Sequence, residues 1–332
     1  MRIAINGYGR IGRCLVWAIH ERGLADTLEV VAINDLASFE ALAHLTRVDS
    51  THGRFPGEVA LEEDALRVDG RRIQLIAESD PTQLPWEALG IDLVLECSGK
   101  FKTRARNQAH LNAGAKRVLI SYPMAEADLT VVYGVNHSQL DPSQRILSNA
   151  SCTTNCLAPI AKVLNEAVGI ERGIMTTVHA YTNDQNLIDK QHKDLYRARS
   201  ATQSIIPSKT GATGAVGLVL PELQGKLTGM ALRVPTINVS VVDFHFTAAQ
   251  DTTPEAINEH LKQAAENELR GVLNYCDMPL VSVDFNHTPA SSTLAAPHTQ
   301  SVGRQCKVLS WYDNEWGFTN RMLDIATLID AW

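Results

Sequence analysis

The 332-residue chain has no excess of positive charge, no long uncharged apolar run and no cysteine-dense segment. Each absence excludes something. Thirty Lys and Arg stand against 37 Asp and Glu, a net charge of −7. That is the wrong sign for a surface built around nucleic acid or an anionic bilayer, and neither partner is expected. No stretch has the length and apolarity of a membrane span, and the opening residues MRIAING lack the apolar core of a secretory signal. Six cysteines, at 14, 97, 152, 156, 276 and 306, are scattered too widely to form a disulfide framework. A reducing cytoplasm is the expected compartment. No repeat, low-complexity tract or flexible linker interrupts the chain. What remains is a globular composition, 45% hydrophobic and 20% charged, long enough for two domains with cores of their own.

The first half alternates apolar, β-branched runs with helical stretches. RIAIN (2–6), LEVVAIND (28–35), DLVLECSG (92–99), RVLIS (117–121) and LTVVYGVN (129–136) read as strands, and RCLVWAIHERG (13–23) as a helix ending at Gly23. That alternation predicts a doubly wound α/β unit with a parallel sheet. The second half has longer strands and fewer helices. GIMTTVHAYT (173–182), RVPTINVSVVDFHFTA (233–248), VSVDF (281–285) and CKVLSWYD (306–313) read as strands; helices are expected after Cys152, around 210–220 and over 253–269. This pattern predicts an α+β domain with a mostly antiparallel sheet. The boundary falls near Ser151, giving domains 1–151 and 152–315. A closing amphipathic helix, about 316–332, is expected to pack back on the first domain.

The first strand runs into GYGRIG, with Gly7, Gly9 and Gly12 in G-x-G-x-x-G spacing. Gly7 allows a tight turn, Gly9 lets backbone approach a pyrophosphate, and Gly12 lets the helix lie close to the sheet. Alone the pattern is weak, because glycine turns are common. Here a strand precedes it, a helix follows, and the next strand ends in an acid, Asp35. A carboxylate at that position accepts from the ribose hydroxyls of NAD and repels the extra phosphate of NADP. Leu36-Ala37-Ser38 supply no arginine to hold that phosphate, so NAD is the expected cofactor.

At 148–156 the chain reads SNASCTTNC, and an apolar run follows. Cys152 is placed to start a helix, where N–H donors and the macrodipole favour a thiolate. His179, within the β-branched stretch TTVHAYTND, is the partner a nucleophilic thiol needs. The other histidines lie mostly in polar, exposed stretches. The remaining cysteines read as small packed side chains. C-x₃-C is not a common zinc spacing, and no second Cys/His cluster accompanies it, so no metal is expected.

With these residues in view, the sequence closely resembles phosphorylating glyceraldehyde-3-phosphate dehydrogenase of the bacterial type. NGYGRIGR, AINDL, SNASCTTNCLAP, TTVHAYTNDQ, KTGATGAVG, GKLTGMALRVP, NVSVVD and SWYDNEWG carry the likeness over essentially the whole chain. The resemblance implies a Rossmann NAD domain, a catalytic domain and a homotetramer. It also implies that Cys152 attacks the aldehyde to give a thiohemiacetal. His179 takes the hydroxyl proton as hydride leaves for nicotinamide, and inorganic phosphate cleaves the resulting thioester. It assigns Thr182, Arg197 and Arg233 to the substrate phosphate, with Asp184 orienting Arg197 or Lys193. Ser151, Thr153, Thr210 and Gly211 go to the attacking phosphate; Arg10, Ile11, Asp35, Ser121, Asn183 and Asn314 go to the cofactor. On composition alone, Arg197 and Arg199 read as a solvated basic face.

Two departures leave NADP use open. Ser79 stands in ESDP where many members carry arginine, and Lys190-Gln191 stands where NAD-specific members often have Leu-Pro. The rival reading is erythrose-4-phosphate dehydrogenase, toward which VVYGVN, VPTINV and VSVDFNH lean. INDL, AYTND and GKLTGMA favour glyceraldehyde 3-phosphate as substrate. Intact Cys152 and His179 argue against a non-enzymatic NAD-binding protein.

Overall fold

The computed structural model describes all residues, 1–332. The chain separates into two compact units, one of Met1–Val131, His137–Ala150 and Thr319–Trp332, the other of Val132–Asn136 and Ser151–Phe318.

In the first unit the apolar runs become the strands of a nine-stranded sheet, in the order Leu129–Thr130, Ile146–Ser148, Arg117–Ile120, Leu93–Glu96, Arg2–Asn6, Glu29–Asn34, Arg71–Ile76, Ala65–Val68 and Val59–Glu62. The first seven are parallel. Burial on both faces explains their near-continuous hydrophobicity. The last two fold back antiparallel, through the two-residue turn Asp69-Gly70 with φ of +48° and +79°. Strand order reverses at Arg2–Asn6, the position at which doubly wound sheets open a crevice at their carboxyl ends. The helices of this unit are α1 (Arg10–Glu21), α2 (Phe39–Arg47) and α3 (Arg104–Asn112). Ser38 and Thr103 cap α2 and α3, each accepting from the backbone N–H three residues on. LTVVYGVN is a strand only over Leu129–Thr130. Gly134, at φ +84°, turns the chain, and Asn136 Oδ1 closes the turn by accepting from Val132 N at 2.8 Å.

The second unit has an eight-stranded, mostly antiparallel sheet. Its order is Ile206–Lys209, Leu227–Val234, Ile170–Ala180, Ser240–Ala248, Gln305–Tyr312, Ser292–Ala295 and Leu273–Cys276, with Gln300–Val302 also on Gln305–Tyr312. Only Ile170–Ala180 with Leu227–Val234, and Leu273–Cys276 with Ser292–Ala295, pair in parallel. Helices α4 (Cys152–Val168), α5 (Ala212–Val219) and α6 (Pro254–Glu266) belong to this unit. Two expected strands need correction. The run 233–248 is two strands broken after Val234, because Pro235 has no N–H to continue a ladder. VSVDF is a 3₁₀ turn over Ser282–Phe285: the Asp284 carboxylate captures the Val281 N–H at 2.8 Å and competes with sheet pairing.

The chain closes in α7 (Trp316–Asp330). Its residues from Thr319 onward group with the first unit, where Asp324 pairs with Arg22 at 2.7 Å and Asp330 with the terminal ammonium at 3.0 Å.

Candidate active site

The glycine turn of the first unit separates structural from functional glycines. A Cβ on Gly7, at φ +91°, would stand 2.4 Å from Ser98 N; one on Gly12 would stand 2.3 Å from Gly7 O. Both glycines are demanded by the fold itself. Gly9 is not: a Cβ there meets nothing within 4 Å, so the open backbone faces no part of the protein. Gly9 is also the N-cap of α1, makes no side-chain capping bond, and no acid sits in the first turn. The orphan N–H groups of α1 therefore suit an anion, and the turn fits a dinucleotide pyrophosphate. Asp35 is anchored beside it, accepting from Tyr8 N at 2.7 Å and Ala37 N at 2.9 Å. The Arg10 guanidinium is gripped by both oxygens of Asp49. Burial opposes the Asp49 charge, yet Arg10 and the N–H groups of Thr51 and His52 bring its pKa down to about 2. Arg10 thus offers the turn its backbone more readily than its side chain. Ile11 and Ser121 are half-buried, and Ser79 is exposed.

The reactive cluster lies in the second unit. Cys152 is the first residue of α4; Ser151 caps the helix, accepting from Thr154 N at 3.0 Å. Cys152 Sγ lies 3.5 Å from His179 Nε2. His179 is 3% exposed, near the end of Ile170–Ala180. Its other nitrogen, Nδ1, lies 2.7 Å from Ala180 O and 2.8 Å from Arg233 Nη1, and Nη1 also donates to Ala180 O at 3.0 Å. Two proton arrangements fit. With Nδ1–H on the carbonyl, Nε2 presents a lone pair to the thiol. With Nδ1 accepting from Arg233, Nε2–H faces a thiolate.

Burial pushes the Cys152 thiol above its ordinary value, and the Arg233 guanidinium opposes that shift. Burial, and then Arg233, push His179 down to about 3. Burial of Cys152, which is partial, thus works against the thiolate that the Arg233 guanidinium and the N–H groups of Thr153 and Cys152 at the helix start favour. His179 is accordingly a neutral imidazole, the form that accepts a proton. Cys156 is fully buried one turn further along α4, with Sγ 3.5 Å from Ser292 Oγ, and burial drives its thiol to about 12. All six cysteines are free.

Around this pair stand the polar groups expected for phosphate. Arg197 donates from Nε to Ser208 Oγ at 3.0 Å, and its Nη1 is held by Asp184. Thr182 is tied to Gln185 Oε1 through its N–H at 2.8 Å. Thr210 Oγ1 accepts from Ala212 N at 3.2 Å, and Gly211 is the N-cap of α5. Thr154 Oγ1 contacts Ala212 O at 3.4 Å, so the starts of α4 and α5 meet. Thr153 is buried, its hydroxyl 2.8 Å from Tyr312 OH. A cavity of about 820 Å³ beside Thr210 is walled in part by Lys193, Ser208 and Lys209. Asn183 is exposed, and Asn314 Oδ1 accepts from Ser240 Oγ at 2.8 Å.

Sequence reasoning missed Tyr312. Its hydroxyl bridges Thr153 and Thr177 at 2.8 Å each, and its ring meets the His179 ring edge-on, with centroids 5.8 Å apart. The motif SWYDNEWG marks the position but not the contact. Ser240, which holds Ala180 N at 3.1 Å, carried no signal.

Residues 1–104 match the NAD binding domain of glyceraldehyde 3-phosphate dehydrogenase, and residues 151–314 match its C-terminal domain. The chain belongs to the glyceraldehyde-3-phosphate dehydrogenase family. It is 58% identical over 330 residues to the plasmid-encoded glyceraldehyde-3-phosphate dehydrogenase of Cupriavidus necator, covering 99% of this chain and 98% of that protein. It is 58% identical over 331 residues to the Pseudomonas aeruginosa enzyme, with 100% and 98% covered, and 52% identical to that of Geobacillus stearothermophilus, with 99% and 98% covered. NAD is the cofactor of this family member, and its chemistry is that of an oxidoreductase.

Proposed function

We propose that the chain oxidises D-glyceraldehyde 3-phosphate with uptake of inorganic phosphate, giving 1,3-bisphosphoglycerate, through a covalent intermediate on Cys152. The observation that carries this reading is the 3.5 Å approach of Cys152 Sγ to His179 Nε2 at the start of α4. His179 Nε2 accepts the thiol proton as Sγ adds to the aldehyde carbon, returns it to the carbonyl oxygen to give the thiohemiacetal hydroxyl, and accepts it again as the hydride leaves that carbon. NAD, when bound, supplies the hydride acceptor. The Gly7–Gly12 turn, Ile11, the Arg10 backbone, Asp35 and Ser121 would hold it.

Arg197 and Arg233, with Thr182, would receive the substrate phosphate; Asp184 and Ser208 hold the Arg197 fork in place. The attacking phosphate would be received where α4 and α5 begin, at Ser151, Thr153, Thr210 and Gly211. The Ser151 and Thr153 hydroxyls already have protein partners, which favours backbone N–H groups and Thr210 as donors there.

A homotetramer is proposed for the assembly. Leu187, Ile188, Leu195, Tyr196 and Ile205 are exposed within one segment, Leu195 at 81%, and a second copy would cover them. No helix is long and apolar enough to cross a membrane, and a cytoplasmic location is proposed.

The decisive experiment incubates the protein with NAD and glyceraldehyde 3-phosphate without phosphate, then measures intact mass. An acyl adduct on Cys152, discharged on adding phosphate, is expected. Turnover with no adduct and no phosphate dependence would reject the mechanism. Parallel assays with erythrose 4-phosphate, and with NADP, fix substrate and cofactor preference.

A further inference from the structure

An unbroken run of buried polar side chains crosses the carboxyl ends of three neighbouring strands in the first unit. Glu96, fully buried at the end of Leu93–Glu96, is its centre. One carboxylate oxygen accepts from Asn6 Nδ2 at 2.5 Å and from His110 Nε2 at 3.1 Å. The other accepts from the Ser98 N–H at 2.8 Å and the Ser98 hydroxyl at 2.5 Å. The His110 tautomer is set from its far side. Trp86 Nε1, which can only donate, lies 3.0 Å from His110 Nδ1, so Nδ1 accepts and Nε2 carries the proton toward Glu96. Asn6 accepts in turn from Asn34 Nδ2 at 2.7 Å. All four groups facing Glu96 donate, an arrangement that a carboxylate satisfies and an amide does not.

What this network joins gives it meaning. Asn6 immediately precedes Gly7, and Ser98 is the wall against which Gly7 packs, leaving no room for a Cβ. The backbone repeats the link: Cys97 N donates to Asn6 O at 2.7 Å, and Gly7 N to Asn34 O at 2.9 Å. Each oxygen of one carboxylate therefore holds one of the two loops that meet at the glycine turn. A buried charged network is seldom more stabilising than packed apolar side chains of the same volume. A requirement for fixed backbone geometry accounts for it better.

We propose that Glu96 is a positioning residue for the cofactor. It clamps the Asn6–Gly7 turn to the Cys97–Ser98 loop and so fixes the N–H groups that receive the pyrophosphate. This deepens, and rests on, the assignment of the glycine turn to the pyrophosphate.

The test compares Glu96→Gln, Ser98→Ala and Gly9→Ala, each in the full chain, against NAD, ADP-ribose and adenosine. ADP-ribose has a pyrophosphate; adenosine has none. Glu96→Gln is expected to weaken NAD and ADP-ribose roughly tenfold, about 1.4 kcal/mol, and adenosine less than about twofold on the same scale. KM for NAD should rise while kcat at saturating NAD stays near wild type. Ser98→Ala, which removes one donor, should show the same selectivity more weakly, and it decides the matter if the Gln variant does not fold. Gly9→Ala projects a methyl into open space and tests the underlying assignment. If it leaves all three ligands unaffected, the glycine turn is not the pyrophosphate seat and the clamp falls with it. If Gly9→Ala weakens the pyrophosphate ligands but the Glu96 and Ser98 variants do not, the clamp alone is overturned. Equal losses on ADP-ribose and adenosine would make Glu96 merely structural and overturn it too.

Discussion

Arg233 and His179 are register partners on adjacent parallel strands, and Arg233 Nη1 lies 2.8 Å from His179 Nδ1. The residue proposed to receive the substrate phosphate therefore also touches the proposed base. Its guanidinium lowers the pKa of both Cys152 and His179 by charge alone, against or with burial.

Arg233→Leu is thus expected to have two effects. It should reduce kcat/KM for glyceraldehyde 3-phosphate more than for unphosphorylated glyceraldehyde, because only the former offers a phosphate. It should also move the pH profile of Cys152 alkylation upward, because the thiolate loses a guanidinium charge that favours it. An unmoved profile would mean that the contact with His179 has no electrostatic consequence.

Cys152→Ser should abolish phosphorylating turnover and leave NAD binding intact. Cys156→Ser should keep most of the activity, because Cys156 is buried and its thiol is pushed to about 12. Iodoacetamide should therefore label one thiol per subunit rapidly, and peptide mass spectrometry would identify it. Equal labelling of both would point to a redox pair instead.

His179→Gln should lower turnover by roughly 10²–10⁴-fold, the usual worth of a general base. A second signature follows from linkage. The pKa of His179 is depressed from 6.5 to about 3 in the fold, so the unfolded chain binds the extra proton between those values. Stability from this group is complete above about 6.5 and is lost as pH falls toward about 3. Denaturant midpoints measured from pH 7 to pH 5 should fall less steeply for the Gln variant than for wild type.

Asp35→Ala should narrow the NAD preference by admitting NADP, since the carboxylate that repels a ribose phosphate is gone. It should also weaken both cofactors somewhat, because Asp35 holds the Tyr8 N–H of the glycine turn. The ratio of kcat/KM values for the two cofactors checks this; an unchanged ratio assigns Asp35 to the turn alone.

Local chemistry was legible in the sequence. Glycine spacing after a strand located the turn, because backbone freedom is a property of single residues. The change from SNASCTTNC to an apolar run placed a helix start near Cys152, and the Ser151 cap that the structure adds acts within the same turn. The apolar runs named most strands of the parallel sheet, because burial on both faces leaves a continuous signature. Elements ruled by one side chain were misread: Pro235 cut an expected strand, and Asp284 coiled another into a 3₁₀ turn.

What only the tertiary structure decided involves partners far apart in the chain. Cys152 meets His179 across 27 positions, His179 meets Arg233 across 54, and Glu96 meets Asn6 across 90. Sequence periodicity carries no information over such distances, because pairing register and burial are set by what the rest of the chain packs around each group. The same holds for charge. A helix start argued for a thiolate at Cys152, and only the fold sets partial burial against it and brings the Arg233 charge in its favour.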